Sequence, residues 1–165
     1  MGMTPFGLRR NLKRILGLGG KTHLVPGDAA PAIDVADATG RVHTLTDLRG
    51  NKVVLYFYPA DDTPGCTREA CDFRDQRPSL DAVVLGVSGD VASSHHAFAQ
   101  KFNLSFPLLV DAEGALATRY GSWGGGVARR TTFVIDREGR VAKVFDPVKV
   151  EGHVQEVLAA LQTLP

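Results

Sequence analysis

Six consecutive β-prone residues, Val53-Val54-Leu55-Tyr56-Phe57-Tyr58, run into Pro59, and a helix start follows within a few residues. A strand without polar alternation has to be buried on both faces, so it belongs inside a sheet with helices packed on either side. Proline cannot continue the ladder, so the strand stops there and the chain turns over the sheet's edge. In open α/β sheets, sites form at the carboxyl ends of strands. The constraint therefore names a fold class and a place to look for chemistry.

The rest of the chain agrees with that layout. Ala32 to Val35 and Val42 to Leu45 form the arms of a hairpin around a turn at Asp37 to Gly40. Helix is expected from about Thr63 to Arg77, with Cys66, Ala70 and Phe73 on one face. Val83 to Val87 reads as a second buried strand, and a helix from about Val91 to Phe102 follows it. A short strand over Phe106 to Val110 and a short helix over Ala115 to Tyr120 come next. Two further strands, Thr131 to Ile135 and Arg140 to Phe145, flank a tight turn at Asp136 to Gly139, and a helix over Val150 to Leu161 closes the chain. The alternation predicts an α/β sheet covered on both faces.

Between strand and first long helix lies Pro59-Ala60-Asp61-Asp62-Thr63-Pro64-Gly65-Cys66. Pro64 suits the first helical position, which makes Thr63 the N-cap and Cys66 the third helical residue. Unpaired N–H groups and the positive end of the helix face that third position, where a capping box places a carboxylate. A thiolate there is stabilised for the same reason. Such a site gains only about 30-fold in thiolate fraction, near 2 kcal/mol, so a fast reaction at the sulfur also needs donors to the leaving group. Candidate donors are the Thr63 hydroxyl, the Cys66 N–H and a guanidinium. A second cysteine, Cys71, follows five residues on, a spacing distinct from the C-x-x-C of thioredoxin-type dithiols.

Composition removes several alternatives. Two cysteines cannot staple a secreted scaffold or close a zinc site alone, and a formal charge of +1 is no nucleic-acid footprint. No apolar run approaches the ~20 residues of a membrane span. The chain divides into a basic extension over residues 1–24 and one domain over 25–165. Arg9, Arg10, Lys13 and Arg14, with Leu8, Leu12, Ile15 and Leu16, suggest a short basic amphipathic helix in that extension. The apolar stretch after Arg9-Arg10 is too short for an export signal. His95-His96 lacks partners at ligand spacing and reads as a solvated face, Gly124 to Gly126 as a flexible turn, and Trp123 as packed on the core.

The segment from Tyr56 to Arg74, YFYPADDTPGCTREACDFR, closely resembles the active-site segment of peroxiredoxins of the bacterioferritin-comigratory-protein, or PrxQ, subfamily. Arg130-Thr131-Thr132-Phe133-Val134-Ile135-Asp136 is similar to that family's second landmark, and the resemblance covers roughly residues 25 to 163. It implies a thioredoxin-like fold, a central mixed β-sheet flanked by helices with an N-terminal β-hairpin. It also implies reduction of hydrogen peroxide and organic hydroperoxides, with thioredoxin or a similar dithiol protein as reductant. By motif, Cys66 matches the peroxidatic cysteine, Cys71 the resolving one, Thr63 and Pro59 the pocket, and Arg130 the arginine beside the peroxide. Glu69 resembles the acidic residue that orients the pocket. No cofactor or metal is expected, and the protein is expected to be cytoplasmic, a monomer or at most a weak dimer, binding neither nucleic acid nor membrane. The stretch 121–127 is shorter than the corresponding loop of many members, and residues 1–24 lie outside the family pattern.

Two other readings stay open at the level of sequence. One is a general thiol-disulfide oxidoreductase on the same fold; the other is a non-catalytic binding module whose basic N-terminal helix engages a membrane or a partner. The C-x4-C spacing and the distant Arg130 favour the peroxidase.

Overall fold

The Val53-to-Phe57 run is the middle strand of a five-stranded mixed sheet. The computed structural model describes residues 21–165, so the basic helix expected in the N-terminal extension lies, up to residue 20, outside the described residues. The chain begins with β1 (Asp34–Ala36), β2 (Val42–Thr44), α1 (Leu45–Leu48) and β3 (Val53–Phe57). It continues with α2 (Pro64–Leu80), β4 (Val83–Ser88), α3 (Ala92–Phe102) and β5 (Leu108–Val110). A 3-10 turn (Ala112–Gly114) leads to α4 (Ala115–Arg119), β6 (Trp123–Gly124) and β7 (Val127–Ala128). Last come β8 (Thr131–Ile135), β9 (Val141–Phe145) and α5 (His153–Gln162).

The sheet order is β5-β4-β3-β8-β9, with β3 parallel to β4 and antiparallel to β8. Register follows the period-two pleat. Val53, Leu55 and Phe57 face one core with Leu85, Tyr120 and Phe133, while Val54, Tyr56 and Tyr58 face a second with Cys66, Phe73, Phe98 and Val157. Helices α2, α3 and α5 cover this second face, which is why β3 is buried throughout. The hairpin β1-β2 forms its own two-stranded sheet, as expected. The fold is thus thioredoxin-like α/β, a mixed sheet between helices with an N-terminal hairpin.

Some boundaries differ from the sequence expectation, each for a local reason. Thr44 accepts the Asp47 N–H on its hydroxyl at 3.1 Å and caps α1, a helical turn where continued strand was expected. Pairing in β5 begins at Leu108 because Pro107 has no N–H to offer the ladder. Helix α2 runs past Arg77 and through Pro78 to Leu80. Leu80 is buried in the second core, and Asp81 ends the helix in a left-handed conformation, φ 49°. The Gly125-Gly126 turn links the two strands of a tight hairpin, with φ of 63° and 81°. Trp123 packs on the first core, as expected, and its ring lies over Gly114, where a Cβ would come within 2.2 Å of it. Among the described residues no helix is long and apolar enough to cross a membrane.

Candidate active site

Helix α2 starts where β3 ends. Thr63 is the N-cap in extended conformation and Pro64 the first helical residue, so Cys66 takes the third position, as the sequence requires. The expected side-chain cap is absent: the Thr63 hydroxyl donates to the Ala60 carbonyl at 3.1 Å. This closes the turn before the helix and leaves the first-turn N–H groups to the cysteine end of the site. Asp62 enters the turn with a φ of 55°.

Cys66 is buried at 1% exposure beneath this turn, within the second core beside Ala70 and Phe73. Arg130, immediately before β8, shares the pleat of Thr132 and Val134 and so lies on the face covered by α2. Its Nη2 donates to the Cys66 sulfur at 3.2 Å and its Nη1 to Glu69 Oε1 at 2.9 Å. One planar guanidinium therefore bridges a thiol and a carboxylate. Burial pushes the Glu69 carboxyl up to about 7, against the downward pull of Arg130. Its second oxygen, Oε2, is buried without a hydrogen-bond partner, and so is the hydroxyl of Tyr56. Arg129, next in sequence, turns to the other side and donates to Asp146 Oδ1 at 2.8 Å. Of the pair, it is Arg130 whose guanidinium contacts the Cys66 sulfur.

Cys71 lies further along the same helix, half-buried, and both cysteines are free thiols. Pro59 and Ala60, also half-buried, line a shallow cleft with Gly89, Asp90, Trp123 and Val127. Of the residues singled out from sequence, Cys66, Glu69 and Arg130 are in direct contact. Thr63 is the N-cap residue of the same helix and bonds Ala60, Pro59 lines the neighbouring cleft, and Cys71 stands apart.

His95 is the correction. The doublet reads as a solvated face, and His96 is indeed exposed, but His95 is fully buried. Its Nδ1 lies 2.7 Å from Asp61 Oδ2 and its Nε2 2.8 Å from the Leu109 carbonyl. No spacing rule could have found this, because the partners sit 34 and 14 residues away. The only local signal is the periodicity that places His95 three residues before the buried Phe98.

A thioredoxin-like fold with a cysteine on the first turn of a helix, an arginine on its sulfur and a second cysteine on the same helix defines a thiol-dependent redox enzyme. The AhpC/TSA family model matches residues 26–144, well over half of the chain. The sequence is 45% identical over 148 residues to a putative peroxiredoxin bcp of Coxiella burnetii, covering 82% of this chain and 97% of that one. It is likewise 45% identical over 150 residues to peroxiredoxin Bcp of Bacillus subtilis, covering 84% and 95%. The crystal structure of peroxidoxin BcpB from Mycobacterium tuberculosis superposes with a TM-score of 0.80 at 36% identity, covering 87% and 99%. The chain belongs to the AhpC/TSA family and is a peroxiredoxin of the PrxQ/BCP type.

Proposed function

We propose that this peroxiredoxin reduces hydrogen peroxide and organic hydroperoxides through Cys66, with Cys71 as the resolving thiol. The observation that carries the reading is Arg130 Nη2 at 3.2 Å from a sulfur on the first turn of α2. The Cys66 thiolate attacks the terminal oxygen of the peroxide and the O–O bond breaks. The leaving oxygen departs as alkoxide or hydroxide, takes a proton, and leaves Cys66 as the sulfenic acid. Arg130 and the first-turn N–H groups donate to oxygen as charge builds on it. Cys71 then attacks the Cys66 sulfur, water leaves, and a disulfide forms. Thioredoxin or a similar dithiol protein returns both thiols by exchange.

Glu69 holds the guanidinium at the angle the sulfur needs, while Thr63 and Pro59 shape the entrance. The reading includes a cytoplasmic enzyme, because cytosolic dithiol systems keep such a pair cycling. It also includes a monomer: among the described residues the exposed large hydrophobics are four separate valines, Val25, Val42, Val91 and Val127. The test is an NADPH-coupled assay with thioredoxin, thioredoxin reductase and hydrogen peroxide. Steady NADPH loss that requires Cys66 is expected; no loss with any of several hydroperoxides defeats the reading.

A further inference from the structure

His95 stands outside the chemistry just described, yet it is the most completely buried histidine of the described residues, at 0% exposure. Both of its ring nitrogens face acceptors. The Leu109 carbonyl at Nε2 can only accept. Asp61 Oδ2 at Nδ1 already receives the Ser94 hydroxyl at 2.8 Å, and Asp61 Oδ1 receives the Tyr58 hydroxyl at 2.6 Å. The Tyr58 and Ser94 hydroxyls thus donate one to each oxygen, and against the upward push of burial these hydrogen bonds and His95 hold the carboxyl below its ordinary range. Asp61 is therefore a carboxylate, so the ring has to donate from Nδ1 as well as from Nε2. Only the imidazolium does both.

Asp61 is the residue this cation holds. It lies between the end of β3 and the helix that bears Cys66, and its N–H also donates to Asp90 Oδ2 at 2.9 Å. Immediately after it comes the left-handed Asp62, then Thr63, whose hydroxyl closes back on Ala60. The turn that sets the first residues of α2 is therefore anchored to α3 through one side chain.

We propose that His95, as a buried imidazolium, is a positioning residue: by clamping Asp61 it fixes the turn that presents Cys66. The clamp lies just upstream of the two cysteines, so it is also the fixed point from which α2 unwinds and rewinds. Asp61, Asp90 and His95 are close enough to suggest a cation site. However, Asp90 Oδ2 already takes the Ser88 hydroxyl at 2.6 Å as well as the Asp61 N–H, and both ring nitrogens are engaged. The groups facing the ring are Asp61, Asp90 and Tyr58, with Asp37 (itself paired to His43) and His96 lining the adjacent groove. Burial alone would favour the neutral ring; the Asp61 carboxylate outweighs it and raises the histidine above its ordinary 6.5.

The first measurement is the nitrogen spectrum of 15N-histidine-labelled protein at pH 7.5, with and without added zinc. The imidazolium pattern is expected for His95 in both, and its loss in Asp61→Asn. A neutral tautomer at that pH, or displacement of the signal by zinc, overturns the proposal. The second compares His95→Asn, which keeps a donor near Nδ1 without the charge. Amide exchange over 60–66 should accelerate and the peroxide rate constant should fall about ten- to a hundredfold. Disulfide closure should become faster. In the wild type these rates should step at the pH where the imidazolium signal disappears, and that step should be missing in His95→Asn. Unchanged exchange and rates, or a step that persists, refute the positioning role. The spectrum and the exchange need no peroxide, so they stand or fall apart from the peroxidase reading on which the kinetic arm rests.

Discussion

Arg130 and Cys66 are 64 residues apart in sequence, and the guanidinium donates to the sulfur at 3.2 Å. The contact exists because β8 runs antiparallel to β3 with Thr131 opposite Phe57, which brings the start of one strand to the end of the other. Sheet register therefore sets the chemistry. Arg130→Ala should lower the second-order peroxide rate by about 100- to 1000-fold, since a lost transition-state donor costs ~2.7–4 kcal/mol. The thiolate fraction of Cys66 measured in the same variant separates ionisation from transition-state stabilisation. A rate loss fully explained by that fraction would defeat the donor assignment. Arg130→Lys should recover little, because an ammonium cannot reach sulfur and Glu69 together.

Cys66→Ser should abolish peroxide consumption. Cys71→Ser should keep one turnover and accumulate sulfenic acid, detected by mass or by a sulfenic-acid probe. The positions explain the asymmetry: Cys66 sits on the first helical turn against Arg130, and Cys71 lies beyond the terminal donors. If Cys71→Ser lost the first, peroxide-reducing step, the roles would be reversed.

Tyr56 carries a hydroxyl buried between Gly86 and the second core without a partner. A buried unsatisfied donor costs about 1–3 kcal/mol. Tyr56→Phe keeps the ring, stacked on Phe73 at 4.7 Å, and removes the orphan. The variant should be about 1 kcal/mol more stable, read as a higher urea midpoint at unchanged slope. A loss of stability would mean that the hydroxyl has a partner in solution.

Two buried groups should tilt stability with pH in opposite directions. Burial, aided by the charge of Arg130, holds His153 down to about 4, so the unfolded chain binds its proton first and stability rises with pH from about 4 to 6.5. The whole effect is on the order of 3 kcal/mol. Glu69, raised to about 7, keeps its proton in the fold when the unfolded chain has lost it. Its contribution is therefore present below 4.5 and is lost as pH rises toward 7. His153→Gln should make the slope of unfolding free energy against pH more negative between 4.5 and 6.5, and Glu69→Gln more positive. Denaturant titrations at three pH values decide it; slopes that move together contradict the assignment.

The β3 run, the Pro59 stop and the Pro64 start are local signals, and they placed both the sheet and Cys66 without any knowledge of contacts. Glu69 is placed by the resemblance and not by any local signal, because its partner Arg130 lies 61 residues away. What stayed hidden depends on partners distant in the chain. His95 reads as surface beside His96 because nothing nearby announces Asp61 or Leu109. Thr63 reads as a cap because the competing Ala60 carbonyl is a property of the folded turn. The length of α2 was underestimated at Pro78, where burial of Leu80 outweighs the hydrogen bond the proline removes.

The two cysteines share α2, and that geometry is incompatible with the Cys66–Cys71 disulfide proposed above. Five residues on an ideal helix rise ~7.5 Å and turn ~500°, placing the Cα atoms about 8.6 Å apart and on different faces. A disulfide requires roughly 4.4–6.8 Å. For that bond to form, the first turns of α2, from about Thr63 to Cys71, have to unwind in each cycle. Unwinding draws Cys66 out of its buried place beside Ala70 and Phe73 and breaks the contact with Arg130. The oxidised enzyme should consequently be unreactive toward a second peroxide until a dithiol resets it, while its sulfurs become accessible to that dithiol. Beyond Phe73 the helix stays anchored by Leu80 and by its packing on α5. Amide exchange over residues 63–74 should be protected in the dithiol form and fast in the disulfide form, with residues near Leu80 protected in both. Equal protection over 63–74 in the two forms, with the intramolecular disulfide confirmed by mass, would rule the unwinding out.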